Sequence, residues 1–298
     1  MGHVLLLMPA DPLRPRLVDP HFAAEAEAAR AAGHQVELVD HHQLTSPNGP
    51  QGSGSHDGGP QGGGLQDTAL YRGWMLRSEQ YAAFADRLVH GGVTLRTSPA
   101  QYRQAHEFPG WYPALTALTP PSVWTAGSDR TDFDRCRREL GSGPVVLRDY
   151  SKSMKHYWDE AAFIPEITAA DHAWRVATRF LELREEAFVG GFVLRRFEDF
   201  DSTEVRTWWV HGHCVLIGDH PDTPGQGLSA DVDLTELTPV MQALALPFVT
   251  VDLAHRFDGT WRVIELGDGQ VSDGSAMDPA TLIKAITTPA DPVPQPTR

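Results

Sequence analysis

The sequence has few cysteines, an excess of acidic over basic residues and no long apolar run, and each of these features excludes a class of protein. Cys136 and Cys214 are the two cysteines in 298 residues, too few for a disulfide framework or a Cys-x-x-Cys zinc site. Twenty-five Lys plus Arg against 39 Asp plus Glu give a formal charge of -14, which disfavours general binding to nucleic acid or an anionic membrane. No segment approaches the roughly 20 apolar residues of a membrane span. These features predict a soluble, cytoplasmic protein.

The first part of the chain has the pattern of a small α/β domain. The apolar run Val4–Met8 predicts a buried first strand rather than a signal peptide, because no basic region precedes it and no cleavage site follows. A helical segment over Phe22–Ala32 ends at Gly33, and Gln35–Val39 alternates as a strand. This β-α-β unit predicts parallel strands. We place the domain at residues 1–125.

Two segments differ in composition from the rest. Residues 46–64 are rich in Gly, Ser, Pro and Gln and contain no apolar residue, which predicts a disordered surface insertion. Residues 289–298 contain four prolines and predict an extended or disordered tail. We place a second domain at residues 126–288.

Two acidic residues are predicted to face each other near the end of this second domain. Asp258-Gly259 is a strong hairpin signal, and a two-residue loop there places Asp252 directly opposite Glu265. Opposed like charges are destabilising, and a divalent cation that accepts both carboxylates would offset the repulsion. Asp268 is a third candidate ligand. The alternative is a longer loop, a shifted register and one acid that points to solvent.

A group of basic residues follows the apolar strand predicted at Val145–Leu147. The cations are Arg148, Lys152 and Lys155. Strand ends in α/β sheets face ligand crevices, so on an acidic protein this basic loop suits a polyphosphate. The alternative is a solvated loop whose charges are paired with nearby acids. Those acids are Asp149, Asp159 and Glu160.

One charged residue lies inside an otherwise apolar strand. Glu204, Arg206 and Trp208 share a face of the strand predicted at 204–210, and the fixed guanidinium fork of Arg206 suits a phosphate or a carboxylate. An ion pair between Arg206 and Glu204 is the alternative. His211 and His213 flank Gly212, which indicates a turn rather than a metal site.

The order of these parts resembles the ATP-grasp superfamily, most closely a little-characterised clade with one Arg and two Lys in its first nucleotide motif. The matching segments are Val18-Asp19, Glu25–Glu27, Tyr71–Leu76, Val146–Glu160, Arg195–Phe200, Val251-Asp252 and Val263–Ser272. The likeness spans nearly the whole chain except the Gly-rich insertion and the tail. It implies an α/β (α+β) fold: a pre-ATP-grasp α/β domain, then an ATP-grasp fold whose two antiparallel sheets sandwich ATP.

The resemblance also implies roles for individual residues, with ATP and Mg²⁺ as cofactors. The phosphates are expected at Arg148, Lys152 and Lys155. The adenine is expected at the backbone near Arg196, Phe197 and Glu198, and the ribose near Glu204. The Mg²⁺ ligands would be Asp252, Glu265 and Asp268. The catalytic residues would be Arg206 and Lys155, and substrate contacts would come from Arg72, Gln270 and Ser272.

Two positions depart from the pattern of the superfamily. Gly267 replaces the Asn commonly found two residues after the metal-binding Glu, so Asp268 or a water is the expected substitute ligand. Thr250 replaces the Arg that some ligases carry two residues before the first metal Asp. Arg206 is therefore expected to stabilise the transferring phosphoryl group.

The function implied is an ADP-forming carboxylate-amine ligase that works through an acyl-phosphate. Its partners would be small-molecule or peptide carboxylates and amines, with no nucleic acid and no membrane, and a homodimer is left open. The alternatives are an ATP-grasp kinase, a non-catalytic nucleotide-binding module, which Gly267 favours, and a metal hydrolase that uses His211 and His213. Amine-dependent ADP release separates the ligase from the kinase, and ATP binding without turnover indicates the module.

Overall fold

The computed structural model describes residues 3–46, 67–225 and 232–288. The predicted insertion after Ser46 and the tail at 289–298 lie outside the described residues. The chain divides into two compact units that alternate along the sequence: residues 1–102, 205–251 and 267–298 form the first, and residues 103–204 and 252–266 form the second. No helix in the described ranges is long and apolar enough to cross a membrane.

The first unit is built around a parallel sheet with helices between its strands. The helices and strands from the start of the chain to the end of α4 are β1 (Leu5–Asp11), β2 (Arg14–Val18), α1 (Ala23–Ala31), β3 (Gln35–Val39), α2 (His41–Thr45), β4 (Asp67–Tyr71), α3 (Ser78–His90), β5 (Val93–Leu95) and α4 (Pro99–His106). Strands β3, β1, β4 and β5 pair in parallel in that order, and β2 pairs with β1 as an antiparallel hairpin. The parallel pairing of β1 and β3 confirms the predicted β-α-β unit.

The second unit contains an antiparallel sheet of order β6-β9-β7-β8. Its elements are α5 (Phe108–Leu115), β6 (Ser122–Trp124), α6 (Arg130–Leu140), β7 (Val145–Asp149), β8 (Phe163–Ile164), α7 (Ala170–Arg184) and β9 (Phe192–Arg196). Phe133 of α6 and Phe180 of α7 pack with Phe192 of β9 in one buried core, which holds the sheet. This unit begins at residue 103 and includes β6, which pairs with β9.

The remaining four strands form a sheet of order β11-β10-β12-β13, in which β10 and β11 pair antiparallel. With two helices, the remaining elements are β10 (Phe200–Val210), β11 (His213–Asp219), α8 (Leu237–Leu244), β12 (Phe248–Arg256), β13 (Trp261–Asp268) and α9 (Pro279–Thr287). The predicted turn between β10 and β11 is confirmed, since His211 and Gly212 both have positive φ, 48° and 78°, as a two-residue hairpin turn of the I′ type requires. A bulge at Trp208/Trp209 interrupts the pairing of β10 with β11.

The loop between β12 and β13 differs from the prediction. Gly259 N donates to Arg256 O and Arg256 N donates to Thr260 O, both at 2.9 Å, so the loop has three residues rather than two. Gly259 has φ +89°, the conformation that closes three-residue hairpin loops. The extra residue shifts the pairing at the turn by one.

Candidate functional site

The basic loop of the second unit is organised by a buried acid, Asp149, at the end of β7. Its Oδ1 accepts hydrogen bonds from the backbone N–H groups of Ser151 and Lys152, both at 2.7 Å. Its Oδ2 accepts one from Arg184 Nε at 2.9 Å. The loop also turns back on β7 through a bridge between Arg148 and Ser153. Asp149 therefore fixes the backbone from which the loop cations project, rather than merely neutralising them.

Arg148 connects this loop to β13. Its side chain is 5% exposed, and Nη2 lies 3.3 Å from Glu265 Oε1 and 3.1 Å from Ser151 O. The guanidinium carbon lies 5.8 Å from the ring centre of Phe108, whose N–H donates to Tyr150 O at 2.7 Å. Arg148 belongs to the first predicted nucleotide motif and Glu265 to the last, so these two motifs are in contact within one compact unit.

The other two loop cations differ in exposure. Lys152 is half-buried, and Lys155 is exposed at the start of a short 3-10 helix, Lys155–Tyr157. His106 is buried nearby, and burial, reinforced by the charge of Lys152, lowers the pKa of its imidazole to about 4. His106 is therefore neutral at pH 7. The sequence reasoning missed it, because a single His at the end of a helix has no motif around it.

The segment predicted to hold adenine follows β9. The N–H groups of Arg196 and Phe197 donate to Pro121 O at 2.8 Å and Pro144 O at 3.0 Å, so adenine contacts cannot come from these two groups. The ring of Phe197 lies 5.4 Å from Phe163 and 6.3 Å from Trp158. This aromatic cluster, which includes the partly exposed Trp158, was not predicted.

Two further side chains of this segment hold β13. Glu198 accepts two hydrogen bonds from Arg262, at 2.9 and 3.0 Å, so its carboxylate is paired with another side chain of the protein. Arg195 is buried and donates to Ile264 O at 2.6 Å and Val263 O at 2.8 Å. Burial lowers the pKa of Arg195 to about 9, which leaves it charged at neutral pH. Arg195 thereby fixes the backbone next to Glu265.

The predicted metal ligands do not form a cluster of three. Asp252 is buried and Glu265 is half-buried, both in the second unit. In the parts of the chain that the structure describes, no group of three or more His, Cys, Asp or Glu side chains is placed to hold a metal ion. Two carboxylates completed by phosphate oxygens and water are nevertheless a usual donor set for Mg²⁺, so Asp252 and Glu265 fit this ion.

Asp268, the third predicted ligand, is a fully buried acid of the first unit. Its Oδ1 accepts from Gln270 N at 3.0 Å and Gln270 Nε2 at 3.1 Å, whereas Oδ2 has no hydrogen-bond partner among the described residues. Burial raises the pKa of Asp268 from 3.8 to about 7. In the absence of a cation, this carboxyl is therefore partly protonated at neutral pH.

Asp268→Asn is expected to stabilise the protein above pH 7 and to leave it nearly unchanged near pH 4. Between pH 3.8 and about 7, the folded state keeps a proton on Asp268 that the unfolded state has released. The free energy of unfolding therefore falls as pH rises through this range, by up to about 4 kcal/mol. Urea unfolding at pH 5 to 8 without Mg²⁺ measures this difference. Asp86→Asn, at an exposed acid of α3, is the control. A constant difference between wild type and Asp268→Asn at all pH values would contradict the assignment.

Arg72 and Gln270, predicted to contact substrate, are buried instead. Arg72 donates to both carboxylate oxygens of Glu25, at 2.9 and 2.7 Å, and to the carbonyls of Gly269 at 2.7 Å and Ser272 at 2.9 Å. Gln270 donates to Tyr81 Oη at 2.8 Å. This geometry gives Arg72 and Gln270 a structural role, which is to hold the loop after β13.

Arg206 and Ser272 are the predicted residues of the first unit that remain partly exposed. Arg206 Nη1 donates to Asp273 O at 3.0 Å, and Nη2 lies 3.2 Å from His220 Nε2. The hydroxyls of Ser272 and Thr250 lie 2.7 Å apart. A Cβ added at Gly267 would lie 3.5 Å from Thr250 Oγ1 and 3.6 Å from Ser272 Oγ, so a Cβ atom fits there at ordinary contact distance.

Glu204, predicted near the ribose, is half-buried on β10 in the second unit, and the side chain of Trp208 on the same strand is fully buried. The guanidinium carbon of Arg72 lies 5.7 Å from the Trp208 ring centre. Arg206 and Trp208 both precede the bulge in β10, so side chains alternate regularly between the two faces of the strand over these residues.

The comparison with family models identifies the class of the domain. Residues 139–286 match the family model of an ATP-grasp domain, family 3 of the clade with one Arg and two Lys in its first nucleotide motif. The chain therefore carries an ATP-grasp domain of this clade, as its motifs predict. No curated protein matches the sequence.

Solved structures of ATP-grasp proteins are similar over almost the entire chain. A RimK domain ATP-grasp protein from Sphaerobacter thermophilus is 19% identical with a TM-score of 0.60, covering 96% of this chain and 100% of that one. The D-cycloserine synthetase DcsG is 18% identical with a TM-score of 0.59, covering 95% and 100%. The ATP-grasp ligase PsnB, complexed with a variant precursor, Mg and ADP, is 14% identical with a TM-score of 0.56, covering 96% and 97%. At these identities, the likeness shows the fold alone.

Proposed function

We propose that this protein is an ADP-forming carboxylate-amine ligase that binds ATP on its second compact unit. The observation that carries the proposal is the contact between Arg148 and Glu265 at 3.3 Å. It puts a cation suited to phosphate beside an acid suited to Mg²⁺, in a domain of the ATP-grasp family. The ligases among the similar structures support the same class of reaction.

The proposed reaction has two steps. A carboxylate oxygen of the first substrate attacks the γ-phosphorus of ATP, the bond from that phosphorus to the β-γ bridging oxygen breaks, and ADP leaves. The amine nitrogen of the second substrate then attacks the acyl carbon. The carbon–oxygen bond to phosphate breaks, inorganic phosphate leaves and the nitrogen loses a proton, which forms an amide.

The side chains of this protein act in the reaction by binding and orientation. Arg148 and Lys152 neutralise phosphate charge from a backbone that Asp149 holds in place, and Arg206 is the candidate donor to the transferring group. Asp252 and Glu265 would hold Mg²⁺, which neutralises negative charge on the phosphates when bound. The cluster of Trp158, Phe163 and Phe197 offers an apolar surface for the adenine.

Lys152→Ala is expected to raise KM for ATP about tenfold or more, with a smaller change in kcat. A loop cation that contacts phosphate in the ground state and in the transition state contributes uniform binding, and a charged hydrogen bond contributes about 1.5–3 kcal/mol. Lys155→Ala should have a weaker effect of the same kind, because Lys155 is exposed. Steady-state kinetics with calorimetric titration of ATP checks both variants.

Lys284→Ala provides the matched control for these variants, because Lys284 is an exposed lysine on α9. ATP affinity and turnover that stay at the wild-type level in Lys152→Ala and Lys155→Ala would remove this loop from the nucleotide site.

The reaction type is tested by a screen for ADP release over carboxylate and amine pairs with Mg²⁺-ATP. A ligase releases ADP and phosphate only when both substrates are present. With ¹⁸O in the carboxylate, one labelled oxygen should appear in the released phosphate, because that oxygen attacks the γ-phosphorus. ADP release with a stable phosphorylated product would indicate a kinase.

Gly267 specifically favours a second candidate, a non-catalytic nucleotide-binding module, because no side-chain ligand is present at that position. Turnover of the wild-type protein separates the two candidates. The ligase predicts measurable turnover in the wild type. ATP binding with no turnover against any substrate pair would indicate the module.

A further inference from the structure

His220, which follows β11 in the first unit, is a buried histidine to which neither the sequence nor the proposed mechanism gives a role. Its Nε2 lies 3.2 Å from Arg206 Nη2, and its Nδ1 lies 3.2 Å from the backbone nitrogen of Asp222. The side chain of Asp222 places Oδ2 3.7 Å from the same Nδ1. His220 is 7% exposed, so its ring is fixed by these neighbours.

The two nitrogens of His220 cannot both accept a hydrogen bond. A neutral imidazole carries one lone pair in the ring plane and one N–H, whereas Arg206 and the Asp222 backbone both present N–H donors. The two donors therefore compete for one lone pair, and the charged Arg206 makes the stronger hydrogen bond, which favours the lone pair on Nε2 and the proton on Nδ1. That tautomer leaves the Nε2 lone pair directed at Arg206.

The guanidinium of Arg206 is then held at both terminal nitrogens. Nη1 donates to the carbonyl of Asp273 at 3.0 Å and Nη2 donates to His220. Asp273 is itself fixed, because its carboxylate accepts from Ser275 N at 2.8 Å and lies 3.3 Å from His21 Nε2. An Arg side chain has about 2 kcal/mol of rotamer entropy, so two fixed acceptors substantially restrict its plane.

We propose that His220 is a positioning residue that orients Arg206 toward the reacting phosphoryl and carboxylate groups through its Nε2 lone pair. The inference rests on the role of Arg206 in the proposed function. This role requires no contact of His220 with substrate or nucleotide. Its effect is to hold the planar fork of Arg206 in the geometry needed for bidentate recognition.

Two conservative variants separate the contacts of His220. The amide oxygen of Gln lies at about the position of Nε2, so His220→Gln keeps an acceptor for Arg206. The amide oxygen of Asn lies at about the position of Nδ1, so His220→Asn offers an acceptor to the Asp222 backbone N–H and loses the contact with Arg206. A purely structural role predicts similar effects for both variants.

The first measurement is the rotation of the Arg206 guanidinium, observed by NMR of the full chain labelled with ¹⁵N-arginine. Arg206→Lys assigns the signals. We expect slow rotation about the Cζ–Nη2 bond in wild type and His220→Gln, and markedly faster rotation in His220→Asn. This measurement needs no substrate. Equal rotation in all three proteins would overturn the positioning role.

The second measurement is ADP release from Mg²⁺-ATP with the substrate pair found in the screen. We expect His220→Asn to lower kcat about tenfold or more with little change in KM for ATP, and His220→Gln to retain most of kcat. In an Arg206→Lys background, His220→Asn should have almost no further effect, because the two residues act together. Thermal unfolding of each variant shows whether the fold is intact.

The outcomes distinguish this inference from the function on which it rests. Unchanged turnover in Arg206→Ala would contradict the role proposed for Arg206, and the role of His220 would be overturned with it. A large loss in Arg206→Ala together with full turnover in His220→Asn would overturn His220 alone. Additive losses in the double variant would also overturn the coupling.

Discussion

Glu265→Gln and Asp252→Asn are each expected to lower Mg²⁺-ATP turnover about 100-fold or more, because each removes one of the two carboxylates proposed to hold the ion. Glu265→Gln also removes the negative charge that lies 3.3 Å from Arg148. The expected loss is in kcat and in Mg²⁺ affinity, with the fold intact. ADP release at a series of Mg²⁺ concentrations measures both.

Glu182→Gln serves as the matched control for these two variants, because Glu182 is an exposed acid on α7 of the same unit. Its turnover should equal that of the wild type. Retained turnover in Asp252→Asn and Glu265→Gln, together with a large fall in thermal stability, would show that the two acids are structural rather than metal-binding.

Arg72→Met is expected to destabilise the protein by about 3–5 kcal/mol, because it leaves Glu25 as a buried charge without its partner and releases the loop after β13. Arg72 is fully buried and donates to Glu25 and to three backbone carbonyls of that loop. The double variant Arg72→Met with Glu25→Leu should recover part of the loss, since no unpaired charge remains. Equilibrium unfolding in urea measures both.

The competing result for Arg72→Met is equally clear. Near-normal stability together with a raised KM for the carboxylate or amine substrate would restore the role in substrate binding predicted from the sequence. Arg77→Met, at an exposed arginine just before α3, controls for the loss of a surface charge.

The strands and the order of motifs could be predicted from the sequence, because apolar runs and alternating patterns are local signals. β7 is predicted at Val145–Leu147 and extends two residues further, to Asp149. The length of the loop between β12 and β13 could not be predicted, because Asp258-Gly259 suits a two-residue loop and a three-residue loop alike.

The roles of Asp149, His106 and His220 could not be predicted, because they depend on contacts between distant parts of the chain. In the alternative considered for the basic loop, Asp149 is one of its counter-ions; in the structure Asp149 holds the backbone of that loop and Arg184. His220 meets Arg206 across the β10–β11 pair. A substrate contact for Arg72 was implied by the family resemblance alone. Its burial against Glu25 is visible only in three dimensions.

The central claim is that ATP is consumed at the site built around Arg148 and Glu265. The most direct measurement is ADP and phosphate release by wild type and Glu265→Gln, in the presence of Mg²⁺-ATP and a carboxylate-amine pair, with each substrate omitted in turn. The account predicts equimolar ADP, phosphate and amide from the wild type only when both substrates are present, and almost none from Glu265→Gln. Equal ADP release by both proteins, or release that ignores the amine, would contradict it.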